Sequence, residues 1–194
     1  MTREKFLFKH LGAGKILDIG NLGGGARIHK EIISRFPGAE VYGLDSQSAG
    51  GLGFSFPNQA AGRAEDLPYP DNHFDFIYLG EVLEHSWEPK KITDECFRAL
   101  KFGGVLVLDT PNIYALSRML RYFFTGRDII LGDPDHKIFF SRAMLSNLLD
   151  KSGFDVLDLL SDGLCTIKCR NFRLPGIGPF NYMGEHLLCA CRKK

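Results

Sequence analysis

Long apolar runs are missing from this 194-residue sequence. None approaches the roughly 20 residues that carry a helix across a bilayer. Net charge is almost missing too, since 24 Lys and Arg stand against 23 Asp and Glu. That balance gives no general pull toward nucleic acid or acidic partners, and no nucleic-acid partner is expected. The first residues, Met1-Thr2-Arg3-Glu4-Lys5-Phe6, lack the apolar core and small-residue cleavage site of a secretory leader. A cytoplasmic location is therefore the default expectation. Cysteines are few and odd in number: Cys96, Cys165, Cys169, Cys189 and Cys191. They form no C-x-x-C pair and no framework of a small secreted fold. A four-thiolate zinc site is one reading of them; buried small hydrophobes is the preferred one, and no metal is expected. Internal repeats and low-complexity tracts are absent as well.

What remains is an ordinary globular composition, 44% hydrophobic and 24% charged, at a length suited to one domain, 1–194. Its most informative stretch is Lys15-Ile16-Leu17-Asp18-Ile19-Gly20-Asn21-Leu22-Gly23-Gly24-Gly25. An apolar strand ends in an acid, a glycine turn follows, and Ile28, Ile32, Ile33 and Phe36 then fall at helical spacing over Ala26 to Phe36. Strand, glycine turn and helix open a doubly wound α/β nucleotide-binding fold, and glycine lets a ligand approach the backbone. Glu40 to Asp45 is the second strand. Ser46 to Gly62 is poor in regular signals and predicts a loop or degraded helix, with a weak third strand before Arg63. Phe74 to Gly80 is a buried strand, Pro89 to Leu100 a helix with proline in its first turn, and Val105 to Asp109 the fifth strand. Tyr114 to Phe124 and Ser141 to Lys151 are helical. Phe154 to Leu160 and His186 to Cys191 are strands six and seven, with a Pro/Gly loop at Leu174 to Pro179 between them. Alternating strands and helices predict a mostly parallel sheet covered on both faces.

Asp45 ends the second strand at about the distance beyond the glycine turn that the dinucleotide fingerprint uses. A carboxylate there can accept both hydroxyl hydrogens of a ribose; a turn or helix-capping acid is its structural alternative. Asp18 sits at an apolar strand end and needs loop amides or a ligand to satisfy it. Fixing the glycine turn is its plainer role.

Three blocks in register then resemble the class I S-adenosylmethionine-dependent methyltransferases. Ile16-Leu17-Asp18-Ile19-Gly20 is similar to their first motif. Ala64-Glu65-Asp66-Leu67-Pro68, continuing to Phe74-Asp75, resembles their passage from strand three into strand four. Glu81-Val82-Leu83-Glu84-His85, Leu100-Lys101-Phe102-Gly103-Gly104 and Asp109-Thr110-Pro111-Asn112 resemble the later half. The last blocks are similar to the branch of quinone-biosynthesis O-methyltransferases and cell-envelope glycan methyltransferases. Two positions differ: Leu22 stands where the middle glycine of the first motif falls, and Arg63 where relatives often carry Asp toward the adenine amine.

The resemblance implies a Rossmann-like, seven-stranded, mostly parallel sheet with helices on both faces and an antiparallel last strand. It implies S-adenosyl-L-methionine as cofactor, with Asp18, Gly20, Asn21, Gly23, Asp45, Ser46, Ala64, Glu65, Leu67, Gly80 and Glu81 as its binding residues. Leu67 would pack on the adenine. Glu65 or a backbone carbonyl would replace the Asp that Arg63 displaces. The implied reaction is methyl transfer to a small-molecule, lipid or sugar acceptor, at oxygen. His85 and His136 are the candidate general bases; ordering the next helix and a loop hydrogen bond are their respective structural alternatives. Glu84 is expected to be a helix-start acid. The acceptor segment lies at about 113–140. Its Tyr114 to Arg127 stretch reads as a packed helix with an exposed basic face, ahead of a lid or a membrane-surface helix. A non-catalytic binding module and an NAD(P)-dependent oxidoreductase are the alternative functions.

Overall fold

The computed structural model describes residues 1–126, 134–162 and 182–194. Cys165, Cys169, Arg127 and the loop expected at Leu174 to Pro179 lie outside these residues. A helix α1 (Arg3–His10), capped by the Thr2 hydroxyl, precedes β1 (Lys15–Ile19). Then come α2 (Gly23–Arg35), β2 (Glu40–Asp45), a short β3 (Gln59–Ala61) and β4 (Phe74–Gly80). The second half holds α3 (Pro89–Ala99), β5 (Leu100–Pro111), α4 (Leu116–Thr125), α5 (Arg142–Lys151), β6 (Phe154–Ser161) and β7 (His186–Lys193).

The seven strands make one sheet in the order β3-β2-β1-β4-β5-β7-β6. β1, β2, β3, β4 and β5 pair in parallel, and β7 is antiparallel to both β5 and β6. Successive residues of each central strand face opposite ways, because side chains alternate across a strand. Leu17, Ile77, Leu106 and Leu187 enter one core, together with Ile92 of α3 and Leu145 of α5. Their neighbours Ile16, Tyr78, Val107 and Leu188 enter the other, with Phe6 and Leu7 of α1 and Ile32 of α2. This double burial is why the strands read as continuous apolar runs rather than alternating ones. The chain runs outward from β1 to β3 and then returns to β4. The order therefore reverses between β1 and β4, the place where open α/β sheets bind ligands.

Four expectations are corrected. β5 begins at Leu100, not Val105, and carries Gly103 and Gly104 inside it. Gly103 adopts φ +77 and the pairing with β4 shifts register between Phe74 and Phe76, so the glycines absorb an irregularity rather than precede the strand. Ala26 does not start the helix: Gly24, Gly25 and Ala26 all have left-handed φ values, 57, 74 and 57, before regular helix begins. No residue of α4 is buried, and Phe123 and Phe124 are 79% and 76% exposed, so the packed helix expected there is not found. Glu84 is not at a helix start. It lies in a separate 3-10 turn, Leu83–His85, ahead of α3.

Candidate active site

The glycine turn makes the floor of a cavity of about 760 Å³ at the carboxyl ends of β1, β2 and β4. That is the size range of small-ligand and cofactor sites. Gly20 leaves β1 at φ +75, and its N–H donates to the Leu44 carbonyl at 2.8 Å. A Cβ there would lie 2.7 Å from Val82 Cγ2, so the position needs glycine for both conformation and space. At Gly23 and Gly24, by contrast, an added Cβ would meet nothing within 4 Å; the backbone there faces open cavity. Leu22 borders the cavity and packs with Ala26, Ala49, Phe54 and Phe56. The residue in the middle-glycine position thus anchors a small apolar cluster of its own.

Asp45 faces the turn from the end of β2. The Leu22 N–H donates to its Oδ2 at 3.1 Å and the Gln47 N–H to its Oδ1 at 3.0 Å. Each oxygen keeps a further acceptor site for a ligand. Asp18 acts on the glycine turn through α2 rather than through the loop amides. It is buried, with Oδ2 3.0 Å from His29 Nδ1. The pair ties α2 to β1 beneath the turn. Burial raises the Asp18 carboxyl above its usual range, and the His29 hydrogen bond opposes that rise. Asn21 borders the cavity, but its side-chain amide is committed to Gln59, at 2.7 and 3.1 Å.

Ser46, Ala64, Glu65 and Gly80 also line the cavity. Glu65 accepts from Ser86 Oγ at 2.6 Å and lies 3.3 Å from the exposed Arg63 guanidinium. Leu67 is not part of the lining. It is buried in the core beside Leu44 and Ala64, while its N–H donates to Glu95 Oε2 at 2.9 Å. Its expected packing on an adenine ring finds no support in this placement.

At the β4 side the cavity becomes charged. Glu81 lines it, and its backbone is held at φ +53. Arg3 Nη1 donates to Glu81 Oε1 at 2.8 Å, and His186 Nε2 lies 3.0 Å from the same oxygen. The His186 hydrogen bond, supported by Arg3, lowers the Glu81 carboxyl to about 2. His186 Nδ1 is 3.3 Å from Asp162 Oδ2. Burial alone would lower this imidazole, but hydrogen bonds to Asp162 and Glu81 outweigh it and raise it to about 10. Arg3 Nη2 also donates to Tyr78 Oη at 3.1 Å, and Tyr78 Oη donates to Asp109 Oδ1 at 2.7 Å. Arg3 Nε lies 2.9 Å from Asp109 Oδ2, an ion-pair distance without hydrogen-bond alignment. Burial raises the Asp109 carboxyl to about 6 despite that guanidinium.

His85 lines the cavity; His136 does not, although its neighbours Asp135 and Lys137 do. The structure still brings the two histidines together, with ring centroids 4.8 Å apart. The Lys137 and Ile138 N–H groups donate to the Glu84 carbonyl at 2.7 and 3.2 Å, which pins this segment to the 3-10 turn. Sequence reasoning missed Arg3, Tyr78, Asp109, His186 and His29. Asp109 had a signal, an acid closing an apolar strand. The others become visible only when distant segments meet.

Comparison with known proteins now gives the class. A family model described as a methyltransferase domain matches residues 17–108. The chain is 37% identical over 99 residues to a probable S-adenosylmethionine-dependent methyltransferase of Mycolicibacterium smegmatis, covering 51% of this chain and 35% of that one. It is 30% identical over 166 residues to a ubiquinone biosynthesis O-methyltransferase of Psychrobacter arcticus, covering 77% and 62%. The chain thus spans between about a third and three-fifths of these relatives' lengths. A crystal structure of an S-adenosylmethionine-dependent methyltransferase from Archaeoglobus fulgidus shares the fold, with a TM-score of 0.72 at 18% identity over 98% of this chain and 90% of that one. Residues 17–108 thus match a methyltransferase domain, and the chain is similar to the class I S-adenosylmethionine-dependent methyltransferases, whose cofactor is S-adenosyl-L-methionine. The residues present fit that cofactor: the Gly23–Gly24 backbone is open to the cavity, and Asp45 turns a carboxylate with spare acceptor capacity toward it.

Proposed function

We propose that this chain transfers a methyl group from S-adenosyl-L-methionine to an oxygen of a small-molecule, lipid or sugar acceptor. One observation carries the reading. A single cavity joins the glycine turn and Asp45 to the charged group around Glu81 and His85. The relative named for ubiquinone biosynthesis transfers to oxygen by its name, which supports the choice of atom. When bound, the cofactor supplies a sulfonium-activated methyl that a nucleophile displaces in line.

The chain's own residues then bind and orient. Asp45 accepts ribose hydroxyls in charge-assisted hydrogen bonds. The backbone of Gly20 and Gly23 allows close approach, and Asp18 holds α2 against β1 so that the turn stays in place. Glu65 is the acceptor offered to the adenine amine, with Ser86 fixing its carboxylate. Glu81 lies at the far end, where Arg3 and His186 already compensate its charge. Alignment of nucleophile and methyl is the main source of rate in such a site. His85 places Nδ1 3.2 Å from the Asp135 carbonyl, so Nε2 is left to take a proton from the acceptor. His136 stands beside it as the second candidate.

The segment at 113–140 is proposed to bound the acceptor pocket of a single methyltransferase domain. Among the described residues no helix is long and apolar enough to cross a membrane. Contact with a membrane surface through 114–127 is a second reading, supported by the exposed Phe123 and Phe124.

Calorimetric titration with S-adenosylhomocysteine, with NAD and NADP as controls, tests the proposal. Micromolar binding of S-adenosylhomocysteine alone is expected. A folded sample that binds none of the three ligands would point to a non-catalytic module. Binding of a dinucleotide instead would point to an oxidoreductase.

A further inference from the structure

We propose that Glu84, His85 and His136 form a binding site for a divalent first-row transition cation in the wall of this cavity. Each offers one ligand atom, and the three atoms lie within 4.8 Å of one another. Ligands of a common ion bound at roughly 2.0–2.2 Å sit about 3.3 Å apart in a tetrahedral site. Small side-chain rotations therefore close the set.

Glu84 is fully buried, yet only Oε2 has a partner, the Thr110 hydroxyl at 3.0 Å. Its Oε1 is buried with no hydrogen bond. A buried carboxylate oxygen without a donor is costly unless something else satisfies it. A cation shared with two imidazoles does so. The surroundings also match what metal ligands need. The Asp135 carbonyl beside His85 Nδ1 selects the tautomer whose Nε2 carries a free lone pair. The Thr110 hydroxyl orients the carboxylate in the same way.

The backbone holds the two segments in place, since Lys137 and Ile138 both donate to the Glu84 carbonyl. Two imidazoles and one carboxylate suit Zn²⁺, Mn²⁺, Fe²⁺ or Co²⁺ rather than an all-oxygen Mg²⁺ or Ca²⁺ cage. Three protein ligands leave a coordination position open, as in catalytic rather than structural sites. His85 borders the cavity, so an oxygen of the acceptor is the partner this position would take. The acceptor role rests on the methyltransferase reading; cation binding itself does not. A bound ion takes the His85 Nε2 lone pair, so the site replaces the base role proposed above for the two histidines, for which the sequence led to no expectation of a metal.

Chelator-treated full-length protein should be titrated with Zn²⁺ and with Co²⁺, by calorimetry and by absorption. The proposal expects one ion per chain and a Co²⁺ spectrum without a thiolate charge-transfer band. His136→Ala and Glu84→Gln should each weaken binding at least about tenfold while keeping the circular dichroism spectrum. They should also abolish the rise in melting temperature that the ion gives the parent protein. No binding, equal binding in both variants, or a thiolate band would overturn the site. S-adenosylhomocysteine titrated into the same samples separates the two proposals. Its failure to bind with the ion still bound would count against the methyltransferase reading alone.

Discussion

At the β1–β2 end of the cavity Asp45 is held by two backbone amides, while at the β4–β7 end Glu81 and Asp109 share the Arg3 guanidinium and His186 braces Glu81. The first arrangement uses neutral donors from residues adjacent in sequence to the glycine turn and to Asp45 itself. It leaves further acceptor sites on the carboxylate for neutral hydroxyl donors. The second brings charged groups from distant segments, separated by 78 residues in the case of Arg3 and Glu81. Such a network sets protonation states rather than a fixed shape. Geometry is therefore invested at the end expected to hold the ribose, and charge at the end expected to meet the reacting groups.

Breaking the first end should give the largest effect. Asp45→Ala should lower S-adenosylhomocysteine affinity at least about 100-fold, the loss of a charge-assisted bidentate contact. Calorimetry measures it, and unchanged thermal unfolding would show that the fold survives. Gly20→Ala comes next. It forces a side chain into φ +75 and within 2.7 Å of Val82. A destabilisation of about 2–3 kcal/mol is expected in denaturant unfolding, from left-handed strain and overpacking together. An unchanged midpoint would mean that the turn yields easily.

The charged end should respond to pH instead. His186 is raised in the folded protein from 6.5 to about 10. Its contribution to stability is thus complete below pH 6.5 and is lost as pH rises through about 10. Thermal melts between pH 6 and 10 would show the decline, and Glu81→Gln should shift the imidazole titration downward by NMR. A flat profile would remove the network from the account. Arg63→Ala should matter least. The side chain is mostly exposed and touches Glu65 only at 3.3 Å, so a change in cofactor affinity under about threefold is expected, as for other exposed ion pairs.

How far the sequence reaches differs along the same lines. The strands of the sheet were legible because double burial makes them continuous apolar runs such as Phe74 to Gly80. The placement of Gly20 and Asp45 was legible because a turn and the strand end facing it are local features. β5 was cut short because Gly103 and Gly104 look like a loop, while the sheet accommodates them at an irregular register. Glu84 looked like a helix-start acid because a helix follows it closely in the sequence. Its side chain instead turns inward to Thr110 of β5 while its carbonyl takes N–H groups from Lys137 and Ile138, contacts that no local pattern announces. Leu67 shows the reverse case: a motif position expected at the ligand whose side chain packs into the core.

The sequence by itself determined the seven-stranded α/β plan, the glycine turn and the acid facing it, because periodicity and backbone conformation are written in neighbouring residues. Only the tertiary structure decided that Asp18 pairs with His29, that Arg3 and His186 meet on Glu81, and that His136 comes to His85 beside a buried carboxylate. Those pairings depend on how helices and loops close over the sheet edge. The short-range pattern of side chains carries no record of such long-range distances.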